Sequence, residues 1–297
     1  MSIFIDRTTR VCVQGITGSE GSFWTEHMKN LGTNVVCGVT PGKEGQTIQG
    51  VPVYHSIKNA LKHHAIDATM LFVPPKLNKD AVFEALDAGI KKIVTIADGI
   101  PLHDMMIIRT RALDEHAFVV GGNTSGVISP HEAMMGSFPH WIERVYKKGS
   151  IGVMTRSGSL TNEVTAMIVK SGYGVSSLIG VGGDPVPGAR FAEFLPLFEA
   201  DPQTKAVVII GELGGTMEEE VADMILKHKF TKPLVAFLGG RTAPKGQKMG
   251  HAGAIITGGK GSVQHKIEVL EHAGAKVADR PSRVGILLEQ LGVSKDE

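Results

Sequence analysis

Among the side chains of this sequence, the histidine of Gly250-His251-Ala252-Gly253 is the one best placed to carry chemistry. Its small neighbours cannot shield the ring, and glycines let a loop hold it close to a ligand. Imidazole is partly uncharged at neutral pH, so it can attack phosphorus and hold the group it receives. Such a nucleophile needs a carboxylate to orient its other ring nitrogen. Glu212, set between glycines in Gly211-Glu212-Leu213-Gly214-Gly215, is the candidate. Thr155-Arg156-Ser157-Gly158-Ser159 leads from a strand pattern into a helical one, so a helix N-terminus there would receive the oxygens of an anion. Thr216, with Glu219 three residues on, has the pattern of a capping box. The chain has 12 histidines, and His272 also lies in a His-Ala-Gly triplet. That copy follows a helical run and precedes Gly274, as expected of a helix end, so it reads as structural.

A second chemical signal lies near the start of the chain. Gly15-Ile16-Thr17-Gly18-Ser19-Glu20-Gly21 follows a strand pattern and opens a helical one, which sets backbone N–H groups against phosphate. The spacing is G-x-x-G-x-x-G, whereas nicotinamide and flavin sites use G-x-G-x-x-G. Beyond the second strand stands Lys43, where a site for NAD would offer an acid to the ribose hydroxyls. A cation there suits an additional phosphate, as on the ribose of coenzyme A or of NADP. The plainer alternative is a tight turn that needs glycine for packing alone. Asp98, in Ile96-Ala97-Asp98-Gly99, adds a polar group at the end of another strand.

These residues need a scaffold, and the apolar runs supply one. Short runs rich in Val and Ile alternate with helical spacing, the mark of parallel sheets covered by helices. The first series is predicted at 10–14, 34–39, 68–73, 92–96 and 118–120. The second is predicted at 151–155, 177–181, 206–210, 233–238 and 275–277. Each suits one doubly wound α/β unit, with residues 1–122 in the first, 123–150 connecting and 151–297 in the second. Basic and acidic residues nearly cancel at +1, without the basic stripe of a nucleic-acid binder. No apolar run approaches the roughly 20 residues of a membrane span. Cys12 and Cys37 lie in apolar strand runs and are expected as small buried side chains. The N-terminus has no secretory pattern, which predicts a cytoplasmic protein.

The order of these motifs resembles the α subunit of succinyl-CoA synthetase, an NDP-forming acid–CoA ligase, over essentially the whole chain. The residues that carry the resemblance are Gln14-Gly15-Ile16-Thr17-Gly18, Val39-Thr40-Pro41-Gly42-Lys43, Arg156-Ser157-Gly158, Gly182-Gly183-Asp184-Pro185, Gly211-Glu212-Leu213-Gly214-Gly215 and the segment from Thr242 to Ile256. The resemblance implies a Rossmann-like CoA-binding domain followed by a flavodoxin-like ligase domain. It implies CoA contacts from Thr17, Gly18, Ser19, Glu20, Lys43, Ile96, Ala97 and Asp98, a phosphohistidine at His251 supported by Glu212, and a phosphate and acid site at Ser157, Gly158, Ser159 and Asn162. ATP or GTP with magnesium would be held by a separate β subunit of ATP-grasp fold, in an αβ heterodimer or α2β2 heterotetramer.

Departures cluster at the ligand edges. The family usually reads Thr-Tyr-Glu after its Arg-Ser-Gly motif, with the tyrosine at the acid site, whereas this chain reads Thr161-Asn162-Glu163. The smaller amide leaves room and offers donors as well as an acceptor. Succinate is the default acid that the resemblance implies; Asn162 suggests another small polyanion, with citrate, malate and sulfoacetate as candidates. ATP-citrate lyase is similar in having Asn-Glu there. Two other classes stand as alternatives: an NADP-dependent oxidoreductase with His251 as proton donor, and a CoA-binding regulatory subunit without catalysis.

Overall fold

The computed structural model describes residues 2–241, 251–253 and 261–296. The stretches 242–250 and 254–260, and with them most of the motif around His251, lie outside the described residues. The chain divides into two compact units. One comprises Phe4–Phe138 with Val186–Ala189; the other comprises Pro139–Pro185 and Arg190–Glu297, together with the residues ahead of Phe4.

In the first unit the elements run β1 (Arg10–Gln14), α1 (Ser19–Leu31), β2 (Asn34–Val39), β3 (Thr47–Ile48), β4 (Val51–Tyr54), α2 (Ile57–Ala60), β5 (Ala68–Leu71), α3 (Asn78–Asp87), β6 (Lys92–Thr95), α4 (Leu102–Asp114) and β7 (Phe118–Val120). The sheet order is β3-β4-β2-β1-β5-β6-β7, parallel apart from the short edge strand β3. Without that edge the order is the doubly wound one that reverses between the first strand and the fourth, here β1 and β5. Strands inside such a sheet are covered on both faces, which is why β5 is buried at every residue and is apolar apart from Thr69. Cys12 and Cys37 face each other across β1 and β2 as free, buried thiols. Helix α1 lays Gly21, Thr25 and Met28 on its buried stripe. A Cβ at Gly21 would sit 2.3 Å from the Gly15 carbonyl oxygen, so the third glycine of the loop is set by helix packing. A hairpin, β8 (Gly126–Ser129) and β9 (Ala133–Gly136), completes the unit. Thr33 holds it, donating to the Met134 carbonyl and accepting from the Met134 N–H, both at 2.9 Å.

The second unit contains β10 (Lys148–Thr155), α5 (Gly158–Lys170), β11 (Val175–Gly180), α6 (Phe191–Ala200), β12 (Ala206–Glu212), α7 (Met217–Leu226), β13 (Leu234–Gly239), α8 (Val263–His272), β14 (Lys276–Ala278) and α9 (Val284–Gln290). Its parallel strands lie in the order β14-β13-β12-β10-β11. Read as first to fifth, that is the 2-1-3-4-5 order of flavodoxin-like sheets, whose winding reverses between the first and third strands, here β10 and β12. The core is drawn from β10, β12 and β13 with Phe191, Phe194 and Phe198 of α6. A Cβ at Gly152 would fall 2.5 Å from the Phe198 ring, so the central strand carries glycine where the helix presses on it. No described helix is long and apolar enough to cross a membrane.

Candidate functional site

In each unit the loops at the reversal of winding gather part of what the sequence singled out. In the first unit, Gly15 leaves β1 with φ +78, and a Cβ there would meet the Phe72 carbonyl oxygen at 2.3 Å. Only glycine fits both the left-handed backbone and that approach. The turn and the segment after β5 together wall a cavity of about 580 Å³, lined among others by Gln14, Gly15, Thr17, Gly18, Val73 and His55. That volume suits a ligand of cofactor size. Helix α1 opens at Gly18, which offers no side chain to the first-turn N–H groups, so they are left for an anion. The residues present therefore fit a phosphate-bearing ligand such as coenzyme A.

Not every residue expected there lines that cavity. Thr17 and Gly18 do, and the Thr17 hydroxyl meets Thr40 at 3.2 Å. Ser19 and Glu20 form the exposed first turn of α1, and the Glu20 carboxylate accepts from the Trp24 indole at 2.9 Å. Lys43 is exposed in the turn after β2, and Ile96, Ala97 and Asp98 follow β6. His55, which the sequence reading passed over, lines the cavity and accepts the Gly42 N–H on Nδ1 at 3.0 Å, steadying the turn that carries Lys43.

In the second unit Arg156 follows β10 and Glu212 ends β12, so both stand at the carboxyl edge where the winding reverses. His251 comes to the same place. Its Nδ1–H donates to Glu212 Oε2 at 2.7 Å, and the ring keeps 27% of its surface exposed. With Nδ1 engaged, Nε2 is the nitrogen left to react. The neighbouring Gly253 N–H donates to the Gly183 carbonyl at 3.1 Å, and a Cβ at Gly183 would lie 2.4 Å from the His251 ring. The hydrogen bond to Glu212 raises the His251 pKa above that of ordinary imidazole; burial and the Arg156 charge oppose it, and the charges of Glu212 and Asp184 assist.

Behind this pair lies a network of charges that sequence reasoning missed. Arg156 Nη2 is 3.2 Å from Glu212 Oε1, and Arg156 Nη1 donates to the Gly214 carbonyl at 2.8 Å. The Glu212 N–H donates to Glu218 Oε1 at 3.1 Å, and Arg156 Nη1 lies 3.5 Å from that same oxygen. Glu218 in turn is bonded to Lys266 of α8, and both side chains are 0% exposed. Burial alone would raise the Glu218 pKa, but Lys266 and Arg156 outweigh it and hold the carboxyl below its usual value. Lys266 also reaches Glu219 at 3.2 Å. The expected capping box does not form, since Thr216 makes no side-chain cap bond and Glu219 faces Lys266. The Thr216 hydroxyl donates instead to Glu220 at 3.0 Å, and Arg190 joins both. Arg156 Nε is buried and, among the described residues, has no hydrogen-bond partner.

Ser157 caps α5, accepting from the Leu160 N–H at 3.5 Å, and Gly158 and Ser159 form the exposed first turn directly after Arg156. Asn162 stands farther along the same helix and lines a different cavity of about 680 Å³ with Arg144, Val145, Glu163, Met167 and Lys170 among others. Its Oδ1 accepts from the phenol of Tyr146. Neither His251 nor Glu212 is among the residues lining that cavity.

Two domain families match the sequence, the CoA binding domain at residues 6–99 and CoA-ligase at residues 154–276. The chain is 86% identical over 296 residues to an ADP-forming sulfoacetate-CoA ligase subunit of Acholeplasma sp, covering 100% of both chains. The chain belongs to the α subunits of the ADP-forming acid–CoA ligases. The corresponding sulfoacetate-CoA ligase subunit of Bilophila wadsworthia is 70% identical to this ligase chain, over 98% of it and 99% of the relative. The succinate–CoA ligase α subunit of Aquifex aeolicus is 46% identical over 96% of the ligase chain and 93% of its own. An ATP citrate lyase of Methanosaeta concilii, solved with (3S)-citryl-CoA, shares the fold at 24% identity and a TM-score of 0.89; 98% of the ligase chain is covered, which spans 52% of the lyase. An acid–CoA ligase subunit with a CoA-binding first unit is thus what the motif order implied.

Proposed function

We propose that this chain is the phosphoryl-carrying subunit of an ADP-forming sulfoacetate–CoA ligase. The observation that carries the acid is 86% identity over the whole length to a chain named for sulfoacetate, against 46% to one named for succinate. Succinate, the default acid of the sequence reading, gives way to one of its alternatives. The amide of Asn162 beside an open cavity with Arg144 and Lys170 supports a bulkier anionic group. A sulfonate carries three oxygens and needs both the room and the donors. The CoA-ligase match of the second unit leaves the oxidoreductase reading without support.

In this reading His251 Nε2 takes the γ-phosphoryl group from a nucleotide, with the oxygens received by the N-terminus of α5 at Ser157, Gly158 and Ser159. The carboxylate of sulfoacetate then takes the phosphoryl from His251, forming an acyl phosphate. The CoA thiolate attacks that carbonyl and expels phosphate. Each transfer rests on positioning and on fixed charge. Thr17, Gly18, Ser19, Glu20 and Lys43, with the 96–98 turn, hold CoA. The nucleotide and its magnesium belong to a partner subunit of ATP-grasp fold, in a heterodimer or heterotetramer.

With the partner subunit present, CoA-dependent ADP release is measured on sulfoacetate, succinate, malate and citrate. Sulfoacetate is expected to lead; a wide lead for succinate overturns the assignment. The rate of phosphoryl uptake from ATP tests His251. Because Glu212 raises its pKa, the neutral nucleophile dominates only at higher pH, and uptake rises through an inflection above that of free imidazole. In Glu212→Gln the inflection moves to lower pH and the plateau falls by about 10²-fold as the ring loses its orientation. An unchanged profile removes Glu212 from the mechanism.

A further inference from the structure

The acid site of the proposed function rests on Asn162, and an amide can serve an anion in one orientation only. Its NH2 edge donates to anionic oxygens; its carbonyl edge repels them. Something must therefore decide which edge of Asn162 faces the acid. Tyr146 lies just ahead of β10, with 2% of its surface exposed, and its phenol donates to Asn162 Oδ1. Burial pushes the Tyr146 pKa well above that of an ordinary phenol, so the hydroxyl keeps its proton at every working pH. With that proton directed at Oδ1, the amide oxygen is held on the phenol's side. The NH2 is then the edge left toward the cavity, and among the described residues it makes no hydrogen bond. The lining of that cavity adds Arg144 and Lys170 against Glu163, a balance that favours a dianionic acid over a neutral one.

We infer that Tyr146 is a positioning residue for acid recognition: it locks the Asn162 amide with its NH2 toward the cavity, so that an acid bearing a second anionic group is bound through that donor. The inference rests on the acid-site reading of Asn162, and the sequence holds a hint of it. The phenol that the related ligases place at position 162 has gone, and a second phenol stands behind the amide that replaced it.

The test compares wild type, Asn162→Ala, Tyr146→Phe and the double variant, each assembled with its partner subunit, by the KM values for sulfoacetate, CoA and ATP. Removing the donor in Asn162→Ala is expected to raise the KM for sulfoacetate about tenfold, and freeing the amide in Tyr146→Phe about fivefold, with kcat within about twofold. In the double variant the KM should equal that of Asn162→Ala alone, because Tyr146 then has nothing to orient. No change in Asn162→Ala defeats the acid-site reading itself. A rise in Asn162→Ala with none in Tyr146→Phe leaves that reading standing and overturns the role of Tyr146. Equal rises in the KM values for CoA and ATP, or a further rise in the double variant, assign Tyr146 to the fold alone and overturn it too. Asn162→Asp tests the same point with Tyr146 untouched. It keeps an acceptor for the phenol but turns an oxygen toward the acid, and should raise the KM for sulfoacetate more than Asn162→Ala does. A smaller rise contradicts the orientation.

Discussion

His251→Ala, assembled with its partner subunit and given labelled ATP, incorporates no acid-labile phosphate, and acyl-CoA formation falls by at least about 10⁴-fold. The size follows from what is removed. Among the described residues, His251 is the histidine whose Nδ1 is held by a carboxylate at 2.7 Å while the ring stays open to a reactant. Without the ring nitrogen the proposed relay loses its covalent carrier, which positioning of the remaining groups cannot replace. His272→Ala provides the contrast. It sits exposed in the last turn of α8, and its loss should leave labelling at the wild-type level. Equal labelling of His251→Ala and wild type would refute the proposed chemistry.

Lys266→Met is expected to be the most damaging change to stability. It keeps the volume of the stem but removes the charge bonded to Glu218, leaving a fully buried carboxylate with Arg156 Nη1 at 3.5 Å as its nearest cation. Breaking a buried pair from one side costs about 3–5 kcal/mol, which corresponds to a fall of roughly 10 °C in thermal midpoint for a unit of this size. The Glu218 pKa, now lowered by Lys266 and Arg156, should rise, and stability should then improve rather than decline on mild acidification. The sign runs opposite to that of the wild type, in which a depressed carboxyl contributes stability that is lost as pH falls through its folded value. Replacing Glu218 by Gln in the same chain removes the orphaned charge and keeps an acceptor for the Glu212 N–H, and should restore about half of the loss. Thermal unfolding across pH measures both variants against the wild type, and a shift below about 2 °C in Lys266→Met contradicts the account.

Strands buried on both faces announce themselves as Val and Ile runs, and β1, β2 and β7 begin and end where the runs do. Elements that escaped lack such a run. In β4 buried and half-buried residues alternate over Val51–Tyr54 with a proline inside, and β8 and β9 are four-residue strands separated by a three-residue turn. The site divides in the same way. His251 and Glu212 are legible because glycine-rich surroundings make an isolated ionisable residue conspicuous. Glu218 is hidden in a run of three glutamates that reads as a solvated first turn. Lys266 did leave a trace, since Val263, Lys266 and Leu270 form the buried stripe of α8 and the lysine occupies an apolar place. Arg156 was visible only as part of a motif; its grip on Glu212 depends on β10 and β12 being neighbours, which spacing along the chain does not reveal. Which strand-end turns wall the cavity after β1 was likewise not legible: Lys43 and Asp98 follow β2 and β6, but His55, from beyond β4, is the residue that lines it.

Helix α5 serves as a ruler with two marks. Ser157 at its head directly follows Arg156 of the charge network, while Asn162 stands five residues on, about 7 Å along the axis, on a cavity that the network does not touch. Because the rod is rigid, a mutation at the second mark leaves the first in place. On the proposed reading, the acid can therefore be exchanged at Asn162 while His251, Glu212 and Arg156 keep their geometry, and new substrates become reachable without passing through a dead enzyme.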